Sequence, residues 1–389
     1  MSIKVCMMSA RHYLLDGRIY NREAKTLLAN GYEVLHIGYG NEDKHYFTED
    51  GAEIIQLKKL KKGGSFKTAF QSLRQSFLAD IFEAAAKAKA DVYHLHDIEL
   101  CRIARKLQRL PHKPKVIYDA HEPYFENFLD FRKYHSLPKT LFNDIPALLA
   151  EKSFLKKADL LIATESNVGE RFARINPHTA VIHNYSYSDE NLIQSVEKKY
   201  DLVYSGTINE ERGIEFIVDA VYECKKRGVD VSCVIVGNFE TKHHEDSVKK
   251  KIATYNLDSQ FHFPGHIAFD DVFSFYNESK IGVCLLPRNR TFKITLHVKL
   301  FEYLHFGLPI IVSNFGHMKD IAETDKVGFA VDPYDASEVA DKILYLLKDD
   351  RWQQYSNRCI EVVRKKYTWQ EEAKKFLTLY KNMLSQEEK

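Results

Sequence analysis

Short apolar runs alternate with amphipathic stretches along nearly the whole chain. Runs rich in Val, Ile and Leu bounded by turn residues read as buried strands, and apolar positions three and four apart read as one face of a helix. On this basis strands are expected at 3–8, 32–38, 52–57, 91–95, 115–119, 159–164 and 180–183. Helices fall between them at 18–30, from the basic loop 58–62 onward to about 87, at 98–110 and at 138–157. A polar, turn-rich segment follows. A second alternating set then begins, with strands at 201–204, 230–236, 260–263, 281–287, 310–312 and 328–331. Helices are expected at 213–227, 243–255, 269–278, 296–306 and 336–348, with two more over 350–386, broken near Tyr367-Thr368. Strand–helix alternation of this kind predicts parallel sheets with helices on both faces. The expected organisation is two doubly wound domains, 1–184 and 200–366, joined by a linker at 185–199. Residues 367–389 form a C-terminal helix that crosses back onto the first domain. Such sheets bind ligands at the carboxyl ends of their strands, so the two would face a central cleft.

The stretch 281–316, IGVCLLPRNRTFKITLHVKLFEYLHFGLPIIVSNFG, is the most informative. A buried strand ends at Pro287, and a basic loop with Arg288, Arg290 and Lys293 follows. Thr295 is placed to cap a helix, Gly307 to end it, and Pro309 prevents its continuation. Lys299 and Glu302 are three apart and share a helix face. Free N–H groups at the helix start, together with the nearby cations, favour a diphosphate, while Glu302 could accept from two ribose hydroxyls. An ordinary surface Lys–Glu pair fits the same spacing.

Composition narrows the class. The chain has 389 residues, 44% hydrophobic and 28% charged, with net charge +2, as expected of a globular protein rather than a nucleic-acid binder. Residues 1–150 carry 23 basic and 18 acidic side chains, a mild positive bias that could face an anionic acceptor or lipid surface. Six cysteines without a Cys-x-x-Cys pair argue against zinc ribbons and disulfide frameworks and for a reducing compartment. The opening MSIKVCMMSARHYLL reads as a strand, not a signal peptide, and no apolar run reaches membrane-spanning length.

Other clusters sit where strands hand over to helices. Asp16-Gly17-Arg18 follows the first strand, and its Arg is unfavourable to the helix dipole, which points to another use; a plain surface turn is the rival reading. His94, His96 and Asp97 end one strand, and Asp119, His121 and Glu122 end the next, so both groups should share a sheet edge. Metal binding and satisfied core histidines both fit them. Gly206 and Arg212 lie in the Ser-Gly-Thr-Ile-Asn-Glu-Glu-Arg-Gly loop before a helix, where an Arg can reach a phosphate. A nicotinamide dinucleotide site is disfavoured, because no Gly-x-Gly-x-x-Gly follows a strand.

Lys-Leu-Phe-Glu-Tyr-Leu-x-x-Gly-Leu-Pro-Ile-Ile at 299–311 resembles the nucleotide-sugar segment of family 4 retaining glycosyltransferases, which have the GT-B fold. The Asp16–Leu27 loop, the strand-end His121, the 204–213 segment and Phe263-Pro-Gly-His-Ile267 are similar to the same family, as is Tyr-Thr-Trp-Gln-Glu-Glu at 367–372. The resemblance implies a hexosyltransferase that moves a sugar from a UDP or GDP sugar to a saccharide or lipid-linked saccharide hydroxyl. It assigns donor contacts to Gly17, Gly206, Arg212, Ile267, Lys299 and Glu302, and a catalytic contact near the sugar to His121. Asp16, Arg18, His96 and Asp97 fall on the acceptor side. Ile294 stands where many members have a second Glu, and Thr207 where they have an Arg, so Arg288, Arg290 or Lys293 would supply the missing phosphate cation.

No Asp-x-Asp triplet occurs, and no metal or other cofactor is expected. Front-face transfer, in which the departing phosphate takes the acceptor proton, follows from the resemblance. So does a role in envelope or exopolysaccharide assembly, whereas the cysteines point to a cytoplasmic location and the basic loop 58–62 could touch anionic lipid on the inner face of the membrane. A nucleotide-sugar 2-epimerase and a non-catalytic partner subunit on the same scaffold are the alternatives.

Overall fold

The computed structural model describes residues 2–59, 78–131, 144–186, 190–265, 267 and 271–385. The basic loop at 58–62, past Lys59, and the start of the helix expected at 138–157 lie outside these residues. The chain forms two compact units, one of residues 1–184 with 371–389 and the other of residues 185–370.

In the first unit the strands are β1 (Lys4–Met8), β2 (Glu33–Gly40), β3 (Lys44–Phe47), β4 (Glu53–Lys58), β5 (Val92–Leu95), β6 (Lys115–Ala120), β7 (Leu160–Ala163) and β8 (Thr179–Val181). They lie in the order β3-β4-β2-β1-β5-β6-β7-β8. All neighbours pair in parallel except β3 with β4. The antiparallel β3 was not expected from the sequence. Its KHYF is mostly exposed and lacks the continuous apolar run of the buried strands, as suits a sheet edge. The helix Tyr124–Phe131 was also not foreseen.

The second unit holds β9 (Tyr200–Ser205), β10 (Cys233–Val236), β11 (Phe261–Gly265), β12 (Ser279–Cys284), β13 (Ile310–Ser313) and β14 (Gly328–Val331). Their order, β11-β10-β9-β12-β13-β14, is that of a doubly wound dinucleotide-type sheet and is parallel throughout. Strand residues alternate between two cores. Leu202, Tyr204, Ile235 and Ile281 pack with Ile214, Ile217 and Val221 of the helix Ile214–Lys226. Val203, Val234 and Val312 pack with Leu300, Phe301 and Leu304 of the helix Val298–His305. With both faces buried, the strands read as unbroken apolar runs, which is why the sequence pattern located them.

Two expectations need correction. The segment after β12 is not only a loop. Asn289 accepts from Phe292 N at 2.7 Å and caps a short helix, Arg290–Ile294. Thr295 does not cap the next helix. Its hydroxyl donates back to Thr291 O at 2.8 Å, and the helix begins at Val298 after His297. The last helix, Trp369–Ser385, belongs to the first unit from Glu371 on. Glu372 accepts from His183 N at 3.0 Å, and Tyr380 meets His94 Nδ1 at 2.8 Å. Among the described residues, no helix is long and apolar enough to cross a membrane.

Candidate active site

Strand order reverses direction between β9 and β12, so ligand chemistry in the second unit is expected beyond Ser205 and Cys284. Gly213 precedes the helix Ile214–Lys226 at φ +66°, and a Cβ there would stand 2.0 Å from Leu285 O. Only glycine lets this helix start pack against the end of β12. Gly206, at φ +125°, follows β9, and a Cβ there would lie 3.1 Å from Lys299 Nζ.

Lys299 and Arg212 are the unusual pair. The Lys299 ammonium sits 3.8 Å from the Tyr204 ring centroid. The Arg212 guanidinium lies 5.4 Å from the Phe292 ring centroid. Neither cation has a carboxylate partner among the described residues. Burial lowers the Lys299 pKa from 10.5 to about 8, and Arg212 pushes the same way against Cys284 and Glu302. His297, buried just before the helix, is lowered to about 3 by burial and then by Arg212 and Lys299, and its Nε2 has no hydrogen-bond partner. Two crowded cations and an unsatisfied imidazole suit an anion lodged at the start of Val298–His305, which has no side-chain cap.

Glu302, on the same helix, is aimed by a relay. Tyr276 Oη donates to Glu302 Oε2 at 2.9 Å and therefore accepts from Ser205 Oγ at 2.7 Å. Ser205 N donates in turn to Tyr303 Oη at 3.0 Å. The carboxylate is thus held with one oxygen engaged. Of the other expected donor residues, Arg288 donates to Asn314 Oδ1 at 2.9 Å and lies 3.5 Å from Asp332. Arg290 and Lys293 are exposed on the short helix, and Ile294 closes it half-buried. Ile267 packs against the apolar core, and its neighbours 266 and 268–270 lie outside the described residues. Gly206, Arg212, Lys299 and Glu302 converge. Tyr276 and His297 were missed. His297 could have been noticed two positions before Lys299, whereas nothing in an apolar helix pattern marks Tyr276.

In the first unit the corresponding reversal lies between β1 and β5. β5 and β6 are parallel neighbours, so His94, His96 and Asp97 share an edge with Asp119 and His121. Arg18 is buried. It donates to both Asp119 oxygens at 3.3 and 3.0 Å and to Ile182 O at 3.1 Å, and its Nε is 2.9 Å from Glu23 Oε1. Burial alone would raise the Asp119 pKa, but Arg18 holds it well below the usual range; Glu23 is pushed well above by burial. Asp16 accepts from Ile19 N at 2.6 Å and from Tyr20 N at 3.3 Å, shaping the turn through Gly17. Asp97 accepts from Ala10 N at 2.6 Å and Arg11 N at 2.9 Å and pairs with His12 at 2.8 Å. Burial would raise its pKa, yet the His12 contact and these donors bring it to about 2. Asp97 therefore organises the loop after β1. His96 Nδ1 lies 3.0 Å from His121 Nε2, and only His121 of these two keeps some exposure. Glu23, given no role from the sequence, completes the cluster; its place five residues after Arg18, in an irregular helix (Ile19–Ala24), hides the pairing from a 3.6-residue pattern.

The chain matches two family models. One, described as glycosyl transferases group 1, covers residues 189–366, and the other, a glycosyl transferase 4-like domain, covers residues 17–184. Sucrose synthase of Solanum tuberosum is 27% identical over 166 residues, 38% of this chain; the match spans only 20% of that protein. Sucrose-phosphate synthase from Thermosynechococcus elongatus superposes with a TM-score of 0.76 at 18% identity, covering 99% of this chain and 100% of the other. HepE of Anabaena, solved with UDP and glucose, has a TM-score of 0.71 at 12% identity, covering 98% and 100%.

Proposed function

The chain belongs to the family 4-type glycosyltransferases of GT-B fold, and from that premise we infer that it transfers a sugar with retention from a nucleoside diphosphate sugar to a saccharide hydroxyl. The observation that carries the donor reading is the unpaired Lys299–Arg212 cation pair beside the start of Val298–His305. A diphosphate would neutralise both cations and accept from the free helix N–H groups. Glu302 would take the ribose hydroxyls on the oxygen that Tyr276 leaves open. Uracil is the favoured base, by analogy with the UDP held in HepE.

The leaving diphosphate is stabilised at this site by protein cations and needs no metal there. His121 acts on the acceptor side and donates to the reacting sugar, in a front-face reaction where the departing phosphate removes the acceptor proton. The acceptor part rests on the resemblance of the Asp16–Arg18 and His121 segments, as does the envelope-polysaccharide role, while a peripheral seat on the inner membrane face rests on the basic bias of residues 1–150.

Calorimetry with UDP in chelator tests the donor site. A dissociation constant unaltered by Mg²⁺ and at least tenfold weaker in Glu302→Ala is expected. Binding that needs Mg²⁺, or that ignores Glu302→Ala, would overturn the assignment.

A further inference from the structure

We propose that the first unit carries a transition-metal site formed by Glu23, His96, Asp119 and His121. One donor atom from each of the four lies within 4.8 Å of the other three. His96 Nδ1 faces His121 Nε2 at 3.0 Å, Asp119 Oδ2 is 3.5 Å from His121 Nε2, and Glu23 Oε2 is 3.7 Å from His96 Nδ1. Around a tetrahedral zinc with bonds of about 2.0–2.2 Å, neighbouring ligand atoms stand roughly 3.3–3.6 Å apart. These three spacings bracket that edge, and the widest separation, within 4.8 Å, would close by about 1 Å around an ion.

Two further observations point to a ligand. Neither Glu23 oxygen has a hydrogen bond of good geometry, although the residue is fully buried. Arg18 also orients the carboxylates. It sits against Glu23 Oε1, which leaves Glu23 Oε2 turned toward His96, and it donates to Asp119 Oδ2 at 3.0 Å while that oxygen also faces His121 at 3.5 Å. Groups in this position around a metal fix the direction of its ligands. Two imidazoles and two carboxylates suit Zn²⁺ or Co²⁺ better than Mg²⁺ or Ca²⁺, which prefer oxygen alone. His121, whose side chain is 5% exposed, is where an ion would come in. A metal on Nε2 leaves the His121 proton on Nδ1, the form able to donate a hydrogen bond.

The site lies wholly in the first unit, and its test uses no sugar nucleotide. The full chain is stripped with a chelator, dialysed and titrated with ZnCl₂ by calorimetry, and separately with CoCl₂ in a visible absorption experiment. Expected are one tightly held Zn²⁺ per chain and an intense tetrahedral Co²⁺ band. Glu23→Gln and His121→Gln should each weaken uptake roughly 10- to 100-fold. His121→Gln changes the least buried ligand and leaves the Arg18–Asp119 pair in place, so it tests the site even if Glu23→Gln does not fold; circular dichroism melts check both. The chain has 17 histidines, and weak uptake that both variants retain would mean surface binding and overturn the site. A stripped chain that takes up neither ion, or gives an octahedral Co²⁺ spectrum, would also overturn it.

Discussion

Replacing Lys299 with Met removes a buried ammonium that has no carboxylate partner among the described residues. Its pKa falls from 10.5 to about 8, chiefly through burial. At about 1.4 kcal/mol per pKa unit, keeping this lysine charged in the folded chain costs about 3 kcal/mol near neutral pH. The contact with the Tyr204 ring returns about 1 kcal/mol, and Met retains most of the stem's packing. The Lys299→Met chain should therefore be more stable by about 2 kcal/mol, which raises Tm by about 5 °C in a unit of this size. The pH dependence has a definite sign. Because the folded pKa is depressed, the cost is fully present below about 8 and fades as pH rises toward 10.5, so the variant's advantage shrinks in alkali. The same change deletes the charge assigned to the diphosphate, and UDP affinity should fall at least tenfold. Thermal melts at neutral and alkaline pH, with UDP calorimetry, check both halves. A variant that melts lower at neutral pH and binds UDP as tightly as the parent would refute the reasoning.

Tyr276→Phe leaves Glu302 Oε2 without its donor and Ser205 Oγ without its acceptor. A loss of about 1–2 kcal/mol follows, read as roughly tenfold weaker UDP binding with little change in Tm if the relay serves to aim Glu302. Asp97→Asn weakens the acceptor of the Ala10 and Arg11 amides and of His12, and should lower stability by about 2 kcal/mol. Since burial is outweighed and the Asp97 pKa falls from 3.8 to about 2, its contribution is full above the usual carboxylate value and fades as pH falls from there to about 2, which melts of parent and variant down the pH scale would show. Tyr380→Phe leaves His94 Nδ1 unsatisfied in the core and should cost about 1–2 kcal/mol in chemical unfolding.

The buried parallel strands were legible because burial on both faces leaves an unbroken apolar signature, as in Ile310–Ser313 and Cys233–Val236. The edge strand β3 was not, because an exposed KHYF obeys no core pattern. The convergence of Arg212 on Lys299 and Glu302 could be read from position, since each follows a strand end in a doubly wound sheet. Their electrostatic state could not, because it depends on which carboxylates fold toward them. Arg288, equally basic in the sequence, is spent on Asn314 and Asp332, whereas Lys299 lies over an aromatic face with no carboxylate in ion-pair contact among the described residues. The Thr295 cap failed for a related reason: its hydroxyl found the Thr291 carbonyl of the preceding short helix, which the basic, non-periodic sequence had hidden.

The strand reversals of the two sheets differ in how their charge is balanced, and this difference supports the roles proposed for them. In the first unit, Arg18 is matched by Asp119, and His12 by Asp97. Buried charges compensated in this way hold a loop and a side-chain array in place, and they attract no further anion. In the second unit the cations are near one another, partly desolvated and uncompensated, so the free protein carries a strain that an incoming anion removes. A buried charge costs several kcal/mol until it is paired, so the pairing energy is released on binding rather than on folding. A chain selected for stability alone would carry an apolar residue at position 299. The lysine there, at a cost to the fold, is what supports the proposal that the second unit receives the phosphates.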